Sequence, residues 1–247
     1  MSLFRKKPVS AENPCCGVVI AAAGSSSRME GVDKLTALLD GEPVLVRAIR
    51  PFERSALVRE IVVVTRWDRL EEIADLCRRF ELNKVTAVVA GGRLRSESVK
   101  AGVEKLSRAC RLAAVHDGAR PLISTDFVDE LIRTADRCSA VAPALRIWDT
   151  VKSVSEGSGG VSVTETVDRD SLRSVQTPQI FDRDLLEAAH VKAWKEGAAL
   201  TDDCSALERL GKKVYLTDGL PWNRKITTQE DLRLAEALWK AGLCNEG

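Results

Sequence analysis

The chain has 247 residues, of which 45% are hydrophobic and 30% are charged, a composition typical of a globular protein. Its 37 Lys and Arg residues against 36 Asp and Glu residues give a formal net charge of +1, so the charge balance gives no argument for nucleic acid or a membrane surface as a partner, and we expect neither. No stretch reaches the roughly 20 apolar residues that a membrane span needs. We therefore expect a cytoplasmic protein.

The cysteines and histidines indicate neither disulfide bonds nor a zinc site. The seven cysteines are odd in number and include no C-x-x-C pair, so we expect reduced thiols in a reducing compartment. No Cys/His cluster has the spacing of zinc ligands. Residues 1–14 are basic and lack an apolar core behind them, which predicts a short disordered tail rather than a secretory signal. Residues 15–247 are expected to form a single domain.

Short β-branched runs alternate with amphipathic windows along the chain, a pattern that predicts an α/β fold with a mostly parallel sheet flanked by helices. Strands are predicted at residues 16–22, 60–65, 85–90, 112–116 and 140–142. An apolar stripe at helical spacing covers residues 70–80, and another covers 127–135 after Ser124, a good N-cap. Near the end, Thr227 and Glu230 are spaced as a capping box for a last helix.

The segment 148–176 interrupts this pattern. Apolar and polar residues alternate on both sides of Gly157, Gly159 and Gly160, which predicts a β-hairpin arm with a glycine-rich turn. An arm inserted between strand and helix units often serves dimerisation. We expect this arm to join two copies of the chain.

The first predicted strand runs into a loop of small residues, Ala22, Ala23 and Gly24, whose backbone can approach a phosphate closely. The loop is neither a dinucleotide fingerprint nor a P-loop, because Ser26 and Met29 replace the later glycines and no G-K-S/T follows. Arg28 and Lys34 come next and suit the stabilisation of a polyphosphate. From spacing alone, a tight turn with two solvated cations is the alternative.

This loop resembles the A-A-G-x-G-x-R-M…K signature of the sugar-nucleotide and cytidylyl transferase superfamily, whose fold is Rossmann-like. Seven further segments add to the resemblance: G-G-x-x-R-x-x-S-V from Gly91, H-D-G-A-R-P from His116, D-T-V-K from Asp149, T-V-D-R from Thr166, Q-T-P-Q-I-F from Gln176, T-D-D from Thr201 and N-x-K-I-T from Asn223. Together they are similar to the 2-C-methyl-D-erythritol 4-phosphate cytidylyltransferase family, over residues 16–240.

The resemblance implies transfer of CMP from CTP to 2-C-methyl-D-erythritol 4-phosphate, with release of pyrophosphate. By this resemblance, Arg28 and Lys34 offset the charge that builds on the triphosphate, and Mg²⁺ is held mainly through the phosphates of CTP. No protein ligand to the metal is assigned. The nucleotide would be bound by six further residues: Ala22, Ala23, Gly24, Gly92, Ser98 and Asp117.

The resemblance also assigns the second substrate. Thr177, Thr201 and Lys225 would bind the sugar-alcohol phosphate from the same chain, while Thr150 and Arg169 would reach it from the other subunit of a homodimer. His116 is expected only to pack at a strand end, and Arg120 is expected to order its loop.

Some residues depart from the family pattern, and other functions stay open. Ser26 replaces a glycine of the loop, whereas Leu35, Arg93 and Trp222 replace residues that are polar or acidic in many relatives. A ribitol-5-phosphate cytidylyltransferase and a non-catalytic CTP-binding subunit remain alternatives. A nicotinamide-dependent oxidoreductase is disfavoured by the missing glycines.

Overall fold

The computed structural model of the protein describes residues 15–24 and 33–243. The tail predicted at residues 1–14 lies outside these ranges. So does Arg28, one of the two cations assigned to the triphosphate.

The described residues contain twelve strands and seven α-helices, together with two single-turn 3-10 helices at Trp67–Arg69 and Arg169–Ser171. The strands are β1 Cys16–Ala22, β2 Leu38–Leu39, β3 Glu42–Pro43, β4 Val58–Thr65, β5 Val85–Ala90, β6 Leu112–Asp117, β7 Ala140–Arg146, β8 Val151–Gly157, β9 Gly160–Val167, β10 Arg173–Val175, β11 Gln179–Asp182 and β12 Tyr215–Asp218. The helices are α1 Val44–Arg54, α2 Leu70–Arg79, α3 Arg95–Lys105, α4 Thr125–Cys138, α5 Arg183–Lys195, α6 Asp203–Arg209 and α7 Gln229–Lys240.

The central sheet has eight strands in the described part of the chain, in the order β10-β7-β11-β6-β1-β4-β5, with β12 paired to β7. Strands β6, β1, β4 and β5 run parallel, and β12 is parallel to β7, whereas β10 and β11 are antiparallel to their neighbours. The predicted mostly parallel α/β fold is confirmed.

Helices cover both faces of the sheet. Successive side chains of a strand point to opposite faces, so one strand can bury apolar residues against both layers of helices. In β1, Val18 and Ile20 pack into the cluster that holds the apolar residues of α1, α2 and α4. The residue between them, Val19, packs instead with the apolar residues of α3, α5 and α6. The central strand is therefore buried on both faces, as its unbroken apolar sequence predicted.

The structure adds detail that the sequence patterns did not give. Strand β4 begins two residues earlier than predicted, and β7 extends to Arg146. Helix α7 does begin with a capping box, but Thr228 and Asp231 form it, one residue beyond the predicted pair. The Asp231 carboxylate accepts hydrogen bonds from the backbone N–H groups of Thr227 and Thr228, which fixes this register.

Strands β8 and β9 form the predicted hairpin arm and pair only with each other within the described residues. The register places Val154 opposite Val163, on the same face as Val161, whereas the register shift between Ser153 and Val154 puts the pair Val151 and Val167 on the other face. Val154, Val161 and Val163 are each more than half exposed. The arm thus carries an apolar face that nothing in the described chain covers.

Within the described ranges, no helix combines the length and the apolarity needed to cross a bilayer.

Candidate functional site

The direction of chain progression reverses beside β1. From β1 the chain moves outward through β4 and β5, and then crosses to β6 on the other side. In open α/β sheets, such a switch point leaves a crevice at the carboxyl ends of the strands, where ligands bind. A pocket opens at this place. Its lining within the described residues is Ala21, Ala22, Ala23, Gly24, Lys34, Leu35, Gly92, Arg93, Leu94, Arg95, Ser98, Asp117, Ala119 and Lys225.

One wall of the pocket is the loop of small residues after β1. Lys34 approaches it closely, since its Nζ lies 3.9 Å from the position that a Cβ atom on Gly24 would occupy. The turn that begins at Lys34 is anchored by Asp33, whose carboxylate accepts from the backbone N–H of Leu35 at 3.0 Å and forms an ion pair with Arg69. Ala22, Ala23, Gly24 and Lys34, which belong to one predicted signature, therefore lie together.

A second wall is formed where β5 leads into α3. A Cβ atom on Gly91 would lie 2.5 Å from the Ser98 hydroxyl oxygen, and one on Gly92 would lie 2.4 Å from a Glu97 carboxylate oxygen. Both glycines are therefore required by close packing against the start of α3. The Ser98 hydroxyl donates to the carbonyl of Leu94 at 3.2 Å. It must turn away from this carbonyl in order to donate to a nucleotide, the ligand that the resemblance assigned to it.

Asp117, at the end of β6, is the carboxylate around which the cations of the described site gather. Lys225 lies 3.0 Å from its Oδ2 atom, Arg120 lies 3.2 Å from the same oxygen, and Arg95 lies 3.5 Å from Oδ1. Burial opposes ionisation of Asp117, but the charges of Lys225, Arg95 and Arg120 outweigh it and hold the pKa of the carboxyl well below its ordinary value. Asp117 is therefore an ionised hydrogen-bond acceptor.

The residue before Asp117 is a neutral histidine. Burial lowers the pKa of His116 to about 4, so its ring is uncharged at neutral pH. Its Nε2 atom faces the carbonyl of Arg120 at 3.0 Å and must carry the proton there, because a carbonyl only accepts. The Nδ1 atom is then the acceptor for the Thr177 hydroxyl, 3.0 Å away. His116 thus packs at the strand end, as the sequence suggested.

This tautomer constrains Thr177, which was assigned to the substrate phosphate. Its hydroxyl has a single hydrogen, which is donated to His116, and its oxygen accepts from the backbone N–H of Asp117 at 3.1 Å. In this arrangement Thr177 supports Asp117 and His116. Donation to a phosphate would require the hydroxyl to leave His116.

The loop that carries Lys225 is tied to the end of β6. Arg120 donates to the carbonyl of Asn223 at 2.8 Å, and the N–H of Ile226 donates to the carbonyl of Ala119 at 2.8 Å. Arg120 therefore orders this loop, in the role that the sequence suggested for it. Lys225 reaches the pocket although it lies more than a hundred residues from Asp117 along the chain.

Arg95 is a charged pocket residue to which the sequence analysis assigned no role. It belongs to the quoted G-G-x-x-R segment but was given no role of its own. Its guanidinium lies between Asp117 and the fully buried Asp203, 2.8 Å from an oxygen of the latter. Burial works against its charge, yet both carboxylates raise the pKa of Arg95 above its ordinary value. The signal available in the sequence was an arginine at the first position of a helix beside a glycine-rich turn.

The other predicted substrate residues do not line this pocket within one chain. Thr150 and Arg169 are exposed at the base of the arm, where Arg169 donates to the carbonyl of Trp148. Thr201 is exposed and directly precedes Asp202, the N-cap of α6. The arrangement of Thr150 and Arg169 agrees with action outside their own pocket, which stays a prediction.

The described residues offer few ligands to a metal ion. No group of three His, Cys, Asp or Glu side chains among them is placed to hold one. Of the described lining residues, Asp117 alone is acidic, and three cations already surround it. These residues do not fit a metal site built by the protein alone.

The fold and the pocket define a class: a Rossmann-like α/β protein whose ligand site lies at the switch point and is lined by small residues and cations. The model of the family described as IspD, 2-C-methyl-D-erythritol 4-phosphate cytidylyltransferase, matches residues 16–241. The chain belongs to this family.

Individual relatives agree with the family match. The chain is 40% identical to 2-C-methyl-D-erythritol 4-phosphate cytidylyltransferase of Dehalococcoides mccartyi strain CBDB1, over 93% of this chain and 98% of the relative. It is also 40% identical to the protein of the same name from Halalkalibacterium halodurans, over 90% of this chain and 95% of that one.

Solved structures of this family are similar as well. The 4-diphosphocytidyl-2C-methyl-D-erythritol synthase of Anaerococcus prevotii superimposes with a TM-score of 0.78 at 28% identity, covering 92% of this chain and 96% of that chain. The 2-C-methyl-D-erythritol 4-phosphate cytidylyltransferase of Thermus thermophilus gives a TM-score of 0.74 at 31% identity, covering 90% of this chain and 98% of that chain.

Proposed function

We propose that this chain transfers CMP from CTP to 2-C-methyl-D-erythritol 4-phosphate. A phosphate oxygen of the acceptor attacks the α-phosphorus of CTP, and the bond from that phosphorus to the bridging oxygen of the β-phosphate breaks. The products are 4-diphosphocytidyl-2-C-methyl-D-erythritol and pyrophosphate. One observation supports this proposal above the others: the small-residue loop after β1 lines a single pocket together with Lys34, Asp117 and Lys225, in a chain that belongs to this family.

The nucleotide is assigned to the side of the pocket formed by β1 and α3. The N–H groups of Ala22, Ala23 and Gly24 suit the phosphates, and Lys34 beside Gly24 suits the charge that develops during in-line attack. Arg28 is assigned to the same charge. Gly92 and Ser98 are assigned to cytosine and the ionised Asp117 to the ribose hydroxyls.

The acceptor phosphate is assigned to Lys225, which is partly exposed at the pocket. Lys225 can exchange Asp117 for a phosphate, because Arg95 and Arg120 continue to neutralise the carboxylate. Thr177 and Thr201 are assigned to the same end of the site, Thr177 through its support of Asp117 in the conformation described above.

We also propose that the protein is a homodimer joined through the arm, with Thr150 and Arg169 serving the site of the other subunit. The uncovered valine face of β8 and β9 supports this assembly, because exposed contiguous apolar surface of this kind marks an interaction site.

Two further assignments complete the proposal. Mg²⁺ is held mainly by triphosphate oxygens, in keeping with the single, already compensated carboxylate of the described pocket lining. The protein acts in the cytoplasm, where the free thiols of Cys15, Cys77 and the other described cysteines stay reduced.

The test is pyrophosphate release by the purified protein with CTP and Mg²⁺, comparing 2-C-methyl-D-erythritol 4-phosphate with ribitol 5-phosphate. We expect clear preference for the first acceptor. Preference for ribitol 5-phosphate would support CMP transfer from CTP but would refute the proposed acceptor. Binding of CTP without release from either acceptor would indicate a non-catalytic nucleotide-binding subunit.

A further inference from the structure

A second carboxylate, behind the pocket, is more deeply buried than Asp117. Asp203, the first residue of α6, has no exposed surface. Its Oδ1 atom lies 3.1 Å from Nε2 of the buried His190 on α5, and its Oδ2 atom lies 2.8 Å from Nη1 of Arg95. Burial opposes the charge of Asp203, but Arg95 and then His190 outweigh it and hold its pKa below the ordinary value. Asp203 is therefore a buried anion with two partners.

Helix capping does not explain this side chain. The N-cap of α6 is Asp202, whose Oδ1 atom accepts from the N–H of Ser205 at 2.9 Å. The backbone N–H of Asp203 is bound separately by Gln179 at 3.0 Å. The Asp203 carboxylate is therefore available to hold Arg95. A buried ion pair is a poor source of stability compared with apolar packing, so its position beside the pocket calls for another reason.

Through Arg95, the buried pair reaches the pocket. Arg95 contacts Asp203 with Nη1 and approaches Asp117 with Nε at 3.5 Å, and Asp117 in turn contacts Lys225. Charges of alternating sign thus run from the layer of α5 and α6 to the pocket lining. Because the guanidinium is planar and rigid, holding one of its nitrogens fixes the direction of the others.

We propose that His190 and Asp203 are positioning residues that hold the Arg95 guanidinium in the nucleotide pocket, where it keeps Asp117 neutralised when Lys225 turns to a bound phosphate. This inference rests on the proposed function. Without Asp203, Arg95 is free to swing onto Asp117 or onto the triphosphate, and the carboxylate loses its fixed orientation toward the ribose. His190 orients the Asp203 carboxylate by donating a hydrogen to it.

The experiment compares His190→Leu, His190→Gln and Asp203→Asn with the unaltered protein, measuring kcat, KM for CTP, the calorimetric Kd of CTP and Tm. His190→Leu and Asp203→Asn should raise KM and Kd for CTP about tenfold, with kcat changed less than about threefold. His190→Gln keeps a side-chain N–H donor and should restore values near those of the unaltered protein. Leu186→Ala, a buried change on the same helix, is the control, and should lower Tm without changing the Kd of CTP.

A double-mutant cycle separates positioning from general damage. If His190 acts through Arg95, His190→Leu should change the Kd of CTP less than about twofold in an Arg95→Ala background. Equal effects of His190→Leu in both backgrounds would overturn the proposal, as would unchanged CTP binding in both His190→Leu and Asp203→Asn. Failure of the unaltered protein to bind CTP at all would instead refute the proposed function, and this inference would fall with it.

Discussion

Single charges around Asp117 set the chemistry of the pocket, and Lys34 is the described cation assigned to the reaction centre. We expect Lys34→Ala to lower kcat by about 10² to 10³, the effect of losing one preorganised electrostatic contact, about 3 to 4 kcal/mol. Folding should survive, because Lys34 is only partly buried. Steady-state pyrophosphate release and thermal unfolding measure the two effects.

The matched control for Lys34 is Lys105→Ala, which removes an exposed lysine at the end of α3. It should leave turnover unchanged. Turnover of Lys34→Ala at half the normal rate or more would refute the assignment of Lys34.

His116 makes stability depend on pH in a defined window. Its pKa is about 4 in the folded protein against 6.5 ordinarily, so between these values the unfolded chain binds a proton that the folded chain excludes. The free energy of unfolding should therefore fall as pH drops from 6.5 to 4, by about 3 kcal/mol from this residue. Asp117 and Asp203 have lowered pKa values, so their contributions are lost only below about pH 4.

Urea unfolding of the unaltered protein and of His116→Gln across this range tests the assignment. The variant should have lower stability at pH 7 and a flatter profile between pH 6.5 and 4. The same slope in both proteins would assign the pH dependence to another group.

At this scale the sequence was informative where residues lie beside a recognisable turn. Gly24, Lys34, Gly92, Ser98 and Asp117 were named from their segments and lie in one pocket. The roles of Arg95 and Thr177 could not be read in the same way. Each role depends on a partner that is distant in sequence, Asp203 for Arg95 and His116 for Thr177. The role of Thr177 depends in addition on which nitrogen of His116 carries the proton.

Among the elements, helix α3 packs tightly against the sheet at a glycine. A Cβ atom on Gly102 would lie 2.5 Å from a methyl of Val19 and 2.8 Å from a methyl of Val64, so the helix rests on the strands through this glycine. Gly102→Ala should push α3 outward and destabilise the protein by about 1 to 3 kcal/mol. Because α3 carries Ser98 and begins at Arg95, the Kd of CTP should rise as well.

Gly159→Ala is the control for this substitution, because a Cβ atom at the tip of the arm would meet no atom within 4 Å. Chemical denaturation and CTP titration measure the two effects of Gly102→Ala. An unchanged stability would show that α3 can shift without cost.

Elements with a clear apolar periodicity were predicted, whereas helices α3 and α5, whose hydrophobic asymmetry is weak, were not. Strand β1 and helix α4 follow their apolar periodicities, and Ser124 caps α4 by accepting from Phe127. Helix α1 contains Pro51, a residue that disfavours a helix interior, so the sequence pattern did not predict this helix. The helix is stabilised by the burial of residues such as Ile49 and Phe52. Strands β10, β11 and β12 have only three or four residues each, so their pairing with distant strands defines them.

The proposed assembly of two chains is tested at the scale of the whole molecule. Val163→Asp places a charge on the uncovered face of the arm and should convert the proposed dimer into monomers, as measured by sedimentation or light scattering. Ser162→Asp, between Val161 and Val163, adds the same charge on the opposite face of β9 and should leave the dimer intact. Equal effects of the two changes would argue that the valine face is not the interface.

A shared site gives a second test of assembly. Arg169→Ala and Lys34→Ala should each be inactive alone. Mixed dimers would contain one intact site, so equal amounts of the two chains, combined at random, should recover about a quarter of normal turnover. No recovery in demonstrated mixed dimers would place Arg169 in the site of its own chain, or outside any site.

The pocket is also assembled from widely separated parts of the chain, with Ala21 to Gly24 at one end and Lys225 at the other. The hydrogen bond from Arg120 to Asn223 spans 103 residues, and those from Gln176 to Leu220 and Asn223 span 44 and 47. Contacts of such range require large loops to close before they contribute, so they tend to form late in folding. During synthesis, a chain that has not yet released Lys225 from the ribosome can build much of the sheet but cannot complete the pocket, so the site proposed for the acceptor phosphate forms only after Lys225 has emerged.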